Sequence, residues 1–343
     1  MAQRTRMKPL LLLALFTLSL QVRADLVVLQ YHHVSDSTPP STSTSVSLFE
    51  AQMDLISDLK LPVVPLKSGT EEALASEPGT ENRLAITFDD AYDSVYSTAA
   101  PILSAKNFPY TIFVNTEAVG REGYMTWEQL RELAQRGDVT LANHSADHKH
   151  LVRKPGESET QWARRVEYSL DSAQTTLREK LGSLSPLFAY PYGEFDSAVE
   201  AKLAERGWYG YGQHSGAIAQ TSGETRLPRF PMANAYGQIN GLENKLRSKT
   251  FPIDAASLPD GVISTNPPRL TFRLPASMDA SGLTCFASGM GRIDFDLDGR
   301  DVTVQAPGAF DSRRFRYNCT YPAGDGSYFW LSKQWLDLTQ PED

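Results

Sequence analysis

Between about residues 26 and 248, short apolar runs alternate repeatedly with segments of helical period, and this alternation restricts the fold more than any other feature. Strand-like runs fall at Leu26 to Gln30, Leu61 to Leu66, Leu84 to Phe88, Tyr110 to Asn115, Val139 to Ala142, Pro186 to Tyr190, Trp208 to Gln213 and Arg226 to Phe230. Helical periodicity occupies 93–106, 126–136, 158–181, 196–206 and 237–248. A further helix is expected from Ser47, where Ser47 and Glu50 form an S-x-x-E capping box and Phe49, Met53, Ile56 and Leu59 supply the apolar stripe. Strands separated by helices pair in parallel. So many repeats favour a distorted (β/α) barrel over an open sheet, and the fold class is α/β.

The flanks differ from this region. Residues 1–24 carry Arg4, Arg6 and Lys8, then the apolar run Leu10 to Leu20, then Val22-Arg23-Ala24 before Asp25, the layout of a secretory signal peptide. The run is about half of the roughly 20 apolar residues that a membrane span requires. Export to a periplasmic or extracellular location is therefore expected, with no integral membrane segment after signal removal. Removal would take away four basic residues and no acid, bringing the formal charge from −8 to −12. Such an acidic chain is not built to neutralise phosphates, so nucleic acid is not an expected partner.

Beyond about residue 252 the helical period stops. Pro267-Pro268 and Pro275 punctuate short alternating segments, so 255–343 reads as a small all-β domain following a 25–250 barrel, sandwich or barrel being open. Ile293 to Leu297 alternates into Asp298-Gly299, a hairpin signal. The same stretch imitates the start of a calcium loop, but Gln305 stands where a bidentate Glu belongs. Cys285 and Cys319 both lie in this segment, and in an oxidising compartment a disulfide is expected over two buried thiols.

All six histidines fall at or beyond the ends of strand-like runs: His32 and His33, then His144, His148 and His150, then His214. In a parallel barrel that end carries the active site. Asp89-Asp90 ends the Leu84 to Phe88 run without a basic neighbour in sequence, and two adjacent carboxylates repel unless a cation or a proton intervenes. The i, i+4 spacing of His144 and His148 would bring two imidazoles to one face of a helical turn, suited to a shared metal. Two His and one carboxylate leave coordination positions open for water and substrate.

These residues resemble a known family. Thr87-Phe88-Asp89-Asp90 is similar to the first motif of the polysaccharide deacetylases (the NodB-homology family, carbohydrate esterase family 4). His144-Ser145-Ala146-Asp147-His148 is similar to their H-[ST]-x-x-H motif, and Ala189-Tyr190-Pro191-Tyr192 occupies the place of the third, R-x-P-[YF]. The resemblance covers about residues 26–248 and, with Tyr31-His32-His33, points to the exported bacterial branch acting on poly-N-acetylglucosamine. It implies a NodB-type barrel in which Asp90, His144 and His148 bind a divalent metal, commonly Zn2+. It also implies that Asp89 is the general base towards a water activated by the metal, and that the Tyr192 backbone N–H helps the metal hold the oxyanion. The substrate would be an N-acetylated polysaccharide or oligosaccharide, and the products acetate and a free amine.

The chain departs from that pattern twice. Motif three begins with Ala189 instead of Arg, so Arg229 is a candidate guanidinium from another loop, against a purely structural ion pair. The family's L-x-H motif is missing between Leu227 and Met232, leaving His214 as the candidate general acid. Tyr92, Tyr190, Tyr192, Trp208 and Tyr211 flank motif positions and are candidates for stacking on sugar rings, and Pro191 of the third motif is a further substrate-site candidate. Tyr328-Phe329-Trp330 and Trp335 would form either a carbohydrate platform or a β-domain core. Two rivals remain at this stage: an O-acetyl-polysaccharide esterase on the same fold, and a non-catalytic carbohydrate-binding protein. A serine hydrolase is disfavoured, since no G-x-S-x-G elbow is present.

Overall fold

A computed structural model describes residues 24–77 and 81–342, so the leader reading of residues 1–24 lies, but for its last residue, outside the described residues. No helix among the described residues is long and apolar enough to cross a membrane. Strand Ala24–Tyr31 pairs in parallel with Glu81–Asp89, which pairs with Tyr110–Val114, then Val139–Asn143, Leu187–Ala189 and Tyr209–Tyr211. On its other side Ala24–Tyr31 pairs with Phe230–Pro231. The two ends of this curled sheet meet through one segment, since Leu227 bridges Tyr211 while Phe230 bridges Leu29. The result is the distorted barrel expected from the alternation.

The barrel strands are buried on both faces, which is why they read as continuous apolar runs. Val27, Leu29 and Tyr31 pack outward against Phe49, Met53 and Ile56 of helix Val46–Asp58. Leu26 and Val28 point the other way, into an inner cluster with Ala85, Phe113, Ala142, Ala189 and Tyr211. Because strand side chains alternate with period two, Thr87 and Asp89 continue the inward phase of Ala85, and Gln30 continues that of Leu26 and Val28. Strand phase alone therefore sets Asp89 at the inner, carboxy-terminal rim of the barrel.

Several expected elements shift. Leu61 to Leu66 contributes only the Val63 to Leu84 bridge, because Pro62 and Pro65 have no N–H to donate to a ladder. Leu66 instead opens a helix, Leu66–Leu74. The first helix is capped by Ser45, not Ser47: the Ser45 hydroxyl accepts the Leu48 N–H from an extended backbone. The 237–248 expectation reduces to Leu242–Leu246, which starts from left-handed Gly241. The 158–181 helix is continuous but contains a wider, i to i+5 turn at Tyr168–Ser172.

Carboxy-terminal strands form two facing sheets. One contains Tyr328–Leu336, Arg314–Pro322, Thr284–Ala287 and Gly291–Ile293, joined at its edge by Lys249–Thr250; the other is Arg269–Arg273, Asp301–Gln305 and Phe295–Asp298. Leu270, Phe272, Val302 and Val304 from the smaller sheet share one core with Phe315, Tyr317 and Trp335 from the larger, which makes the unit a sandwich. The Asp298-Gly299 signal marks a hairpin, with Asp298 opposite Asp301. Trp335 is in the core, and Trp330 packs edge-on against Phe230 of the barrel at 5.3 Å.

Cys285 and Cys319 are opposite one another on paired strands and form a disulfide closing a separation of 34 residues. Loop closure on that scale stabilises by about 3–4 kcal/mol. Replacing both cysteines with Ala should lower the sandwich's unfolding free energy by about that amount, and chemical denaturation with and without reductant checks it.

Candidate active site

At the carboxy-terminal rim, Asp90, His144 and His148 bring one ligand atom each within 4.8 Å of the others. Asp90 Oδ1 lies 3.5 Å from His144 Nε2 and 3.3 Å from His148 Nε2. The His144 Nδ1 faces the Ala189 carbonyl at 2.8 Å, and since a carbonyl only accepts, Nδ1 carries the proton and Nε2 presents its lone pair to the triangle. Burial pulls the His144 pKa down to about 3 and that of His148 to about 4, keeping both rings neutral, as ligands must be. The Asp90 carboxyl is pushed up to about 6, chiefly by burial, with the Asp89 charge adding to it against His32. The donor set thus fits a divalent cation: two neutral imidazoles and a carboxylate short of positive charge.

The histidines are not on a helical turn, although their spacing suggested one. Ser145 and His148 are left-handed, with φ of 69° and 50°, and the Ser145 hydroxyl accepts the His148 N–H at 3.0 Å. Asn143 accepts the Ser145 N–H at 2.8 Å and donates to the Leu170 carbonyl at 3.0 Å. Ala146 N–H donates to Ser169 O at 2.8 Å, so the wide turn at Tyr168–Ser172 anchors this loop. Of the seven non-glycine residues with positive φ among the described residues, Asp90, Ala91, Ser145, His148 and Tyr192 are at this site. Such conformations cost about 1–3 kcal/mol each and persist where surrounding contacts over-determine them.

Asp89 is fully buried and bound on both oxygens by Arg229, Nη1 to Oδ1 at 2.7 Å and Nη2 to Oδ2 at 2.8 Å. Gln30 Nε2 also donates to Oδ2, at 2.7 Å. Burial, the largest single influence, would raise the Asp89 pKa, but the Arg229 charge and hydrogen bonds together with His144 and His32 outweigh it and hold the carboxyl far below the usual carboxylate range. Arg229 is itself fully buried, donates through Nε to the Gly212 carbonyl at 2.9 Å and lies over the Phe113 ring. It belongs to the segment that closes the barrel, so a guanidinium does reach the Asp pair from a late loop.

The remaining candidates separate. Tyr92 hydrogen-bonds Asp90 and lines a cleft with Asn115, Arg121, Tyr124 and His148. Tyr192 is in the turn beginning at Pro191, its ring stacked on His150 at 3.9 Å and 4.7 Å from His148. Tyr190 and Tyr211 are corrected to core residues: both are fully buried, Tyr190 donating to the Thr225 carbonyl and Tyr211 paired with Thr70. Trp208 packs on Phe188 and under Arg206 in the outer layer, away from the cleft. His214 faces Phe195 and a crevice between barrel and sandwich, and the charges around it are Arg316, Lys333 and Arg226, not the Asp pair.

Sequence reasoning passed over four residues. His32 acts electrostatically on both Asp89 and Asp90. Gln30 holds Asp89, Asn115 donates to Asp90 Oδ1 at 3.1 Å, and Glu194 is buried beneath Tyr192 against His150. Gln30 was open to discovery by period two from Leu26, and Asn115 likewise from Thr111 and Phe113.

Residues 76–210 match the family model described as polysaccharide deacetylase. The chain carries a polysaccharide deacetylase domain. It is 27% identical over 211 residues to Bacillus subtilis YxkH, named for the same family, covering 60% of this chain and 71% of that protein. It is 25% identical over 245 residues to the poly-beta-1,6-N-acetyl-D-glucosamine N-deacetylase of Escherichia coli, covering 61% of this chain but only 36% of that one. Among solved structures, IcaB from Ammonifex degensii superposes with a TM-score of 0.55 at 26% identity, over 64% of this chain and 96% of that one. The Streptococcus pyogenes deacetylase PplD, at 20% identity and a TM-score of 0.54, shares the fold over 61% of this chain and 92% of that one.

Removing one partner from a buried ion pair strands the other, typically at about 3–5 kcal/mol. Arg229→Met should destabilise the deacetylase barrel by that order. Adding Asp89→Asn should recover most of the loss, as read by equilibrium denaturation of the single and double variants.

Proposed function

We propose that this protein hydrolyses the acetamide of N-acetylhexosamine units, N-acetylglucosamine above all, in a polysaccharide, releasing acetate and a free amine. The observation that carries the reading is the Asp90, His144 and His148 triangle set beside an Asp89 that Arg229 keeps charged. The poly-N-acetylglucosamine deacetylase name of the Escherichia coli relative supports the choice of sugar. We place the enzyme outside the cytoplasm, with residues 1–24 as its signal, 25–250 as the catalytic barrel and 255–343 as an appended β domain.

Asp90, His144 and His148 would hold a divalent cation, Zn2+ by the character of the donors. When bound, that ion supplies Lewis acidity and makes a neighbouring water more acidic. Asp89, charged at any working pH, accepts the proton of the attacking water. Its bidentate grip by Arg229 makes it a weaker base than a free carboxylate but fixes its orientation. The Tyr192 backbone N–H donates to the acyl oxygen as negative charge develops there. His32, which acts electrostatically on both aspartates, delivers the proton that the amine nitrogen needs as the C–N bond breaks. This role moves from His214, whose side chain is turned towards the sandwich.

The test is acetate and amine release from β-linked N-acetylglucosamine oligomers, with and without chelator. Chelation should abolish turnover, and Asp89→Asn should lower kcat by about 10²- to 10⁴-fold. His32→Ala should depress amide turnover more than turnover of an acetyl ester, while His214→Ala should leave that ratio unchanged. Acetate release from esters alone would transfer the assignment to an O-deacetylase, and chelator-insensitive turnover would remove the metal.

A further inference from the structure

We propose that the carboxy-terminal sandwich is a working part of the catalytic centre: Arg313, Arg314 and Gln334 position the Pro191–Gly193 turn that carries Tyr192. The catalytic consequence rests on the deacetylase reading above, but the positioning itself stands on geometry alone.

The turn needs an external hold. Tyr192 has φ 59° and ψ 2°, and Gly193 follows at φ 69°, so two successive residues are left-handed and the first is a bulky aromatic. Side chains rarely adopt that region without neighbours that enforce it. Gly193 is also pressed close, since a Cβ there would lie 2.7 Å from the Gln213 side chain. The barrel contributes short backbone bonds, Gly193 N–H to Tyr190 O at 2.8 Å and Glu194 N–H to Pro191 O at 3.1 Å, together with His150 stacked on the Tyr192 ring.

The remaining hold comes from the sandwich. The Glu194 carboxylate has no exposed surface, and a charge so placed requires partners. His150 Nδ1 provides one at 2.9 Å from within the barrel. Arg313 provides two more bonds, Nε to Oε1 at 2.9 Å and Nη2 to Oε2 at 3.2 Å, and Arg314 Nη1 reaches Oε1 at 2.9 Å. Gln334, on the strand paired with that of Arg314, donates to the Gly193 carbonyl at 2.6 Å. The Arg314 guanidinium also lies over the Tyr192 ring, 5.2 Å from its centre. Each residue from Tyr192 to Glu194 is therefore contacted by the sandwich, Gly193 through its carbonyl and the other two through their side chains.

This hold bears directly on the metal-ligand cluster, because the Tyr192 ring is 4.7 Å from that of His148. Displacing the turn would move both the Tyr192 N–H and the wall against which a ligand histidine rests. Glu194, Arg313, Arg314 and Gln334 act through Tyr192 and are positioning residues. An alternative is that the cluster only staples the two lobes, in which case it would matter for stability and not for turnover.

Arg314→Met in the full chain separates these cases. Arg314 is about one-quarter exposed, and Glu194 keeps the Arg313 guanidinium and the hydrogen bond from His150, so this variant should fold. Arg313→Lys, retaining the charge but not the fork, is the second variant. Two readouts are needed: hydrogen exchange of the peptide spanning 188–196, and kcat and KM for acetate release. We expect faster exchange confined to that peptide and kcat lowered about 10- to 100-fold with little change in KM. Exchange at the parent rate, or faster exchange with the parent kcat, would overturn the inference. Loosening of the turn in a protein whose parent form releases no acetate would uphold the positioning and overturn the deacetylase reading instead.

Discussion

The fully buried pair of Arg229 and Asp89 is the interaction on which the rest of the structure depends. It joins the beginning and the end of the barrel. Asp89 comes from the second parallel strand, Gln30 from the first, and Arg229 from the segment that closes the sheet while also gripping the carbonyl of Gly212. Buried ion pairs are weak net stabilisers compared with well-packed apolar side chains. An apolar pair here would serve the fold as well, so the reason for the charges lies in the chemistry beside them. Asp90 lies next to a carboxylate that stays ionised despite its burial, and the desolvated guanidinium with its two parallel bonds contributes to that.

The inner phase of the strands accounts for much of the remainder. Period two carries Leu26 and Val28 to Gln30, and Ala85 to Thr87 and Asp89, so a packed apolar interior becomes polar only at its rim. Beyond the rim the backbone takes left-handed turns at Asp90, Ala91, Ser145, His148 and Tyr192. Side-chain amides, a widened helical turn and the sandwich hold those turns in place. The site is thus strand termini plus a few residues in left-handed conformation.

Much of this was legible in the chain. Asp89, Asp90, His144 and His148 stand out because strand-end position and spacing are local properties, and strand alternation with helices gave away the barrel. What escaped depended on tertiary placement. His214 does follow a late strand, but the side of the backbone on which a side chain emerges is decided by what packs there, and it emerges towards the sandwich. Tyr190 and Trp208 are adjacent to motif residues in sequence and opposite to them in facing. Helix Leu66–Leu74 was hidden because Pro62 and Pro65 break the preceding run at its boundary. Glu194 is one more acidic residue in an acidic chain until Arg313, 119 positions away, is laid against it.

Those separations have a kinetic meaning. Gln30 and Asp89 are 59 residues apart, Asp89 and Arg229 are 140 apart, and Glu194 and Arg313 are 119 apart. Contacts of such high order form late, since each long loop must be closed before its bond is gained. The barrel wall can gather strand by strand from neighbours in sequence until Phe230 closes it against Leu29, whereas the centre needs the Asp89–Arg229 and Glu194–Arg313 encounters as well. Closing the wall and completing the centre therefore draw on different long-range contacts of the same chain.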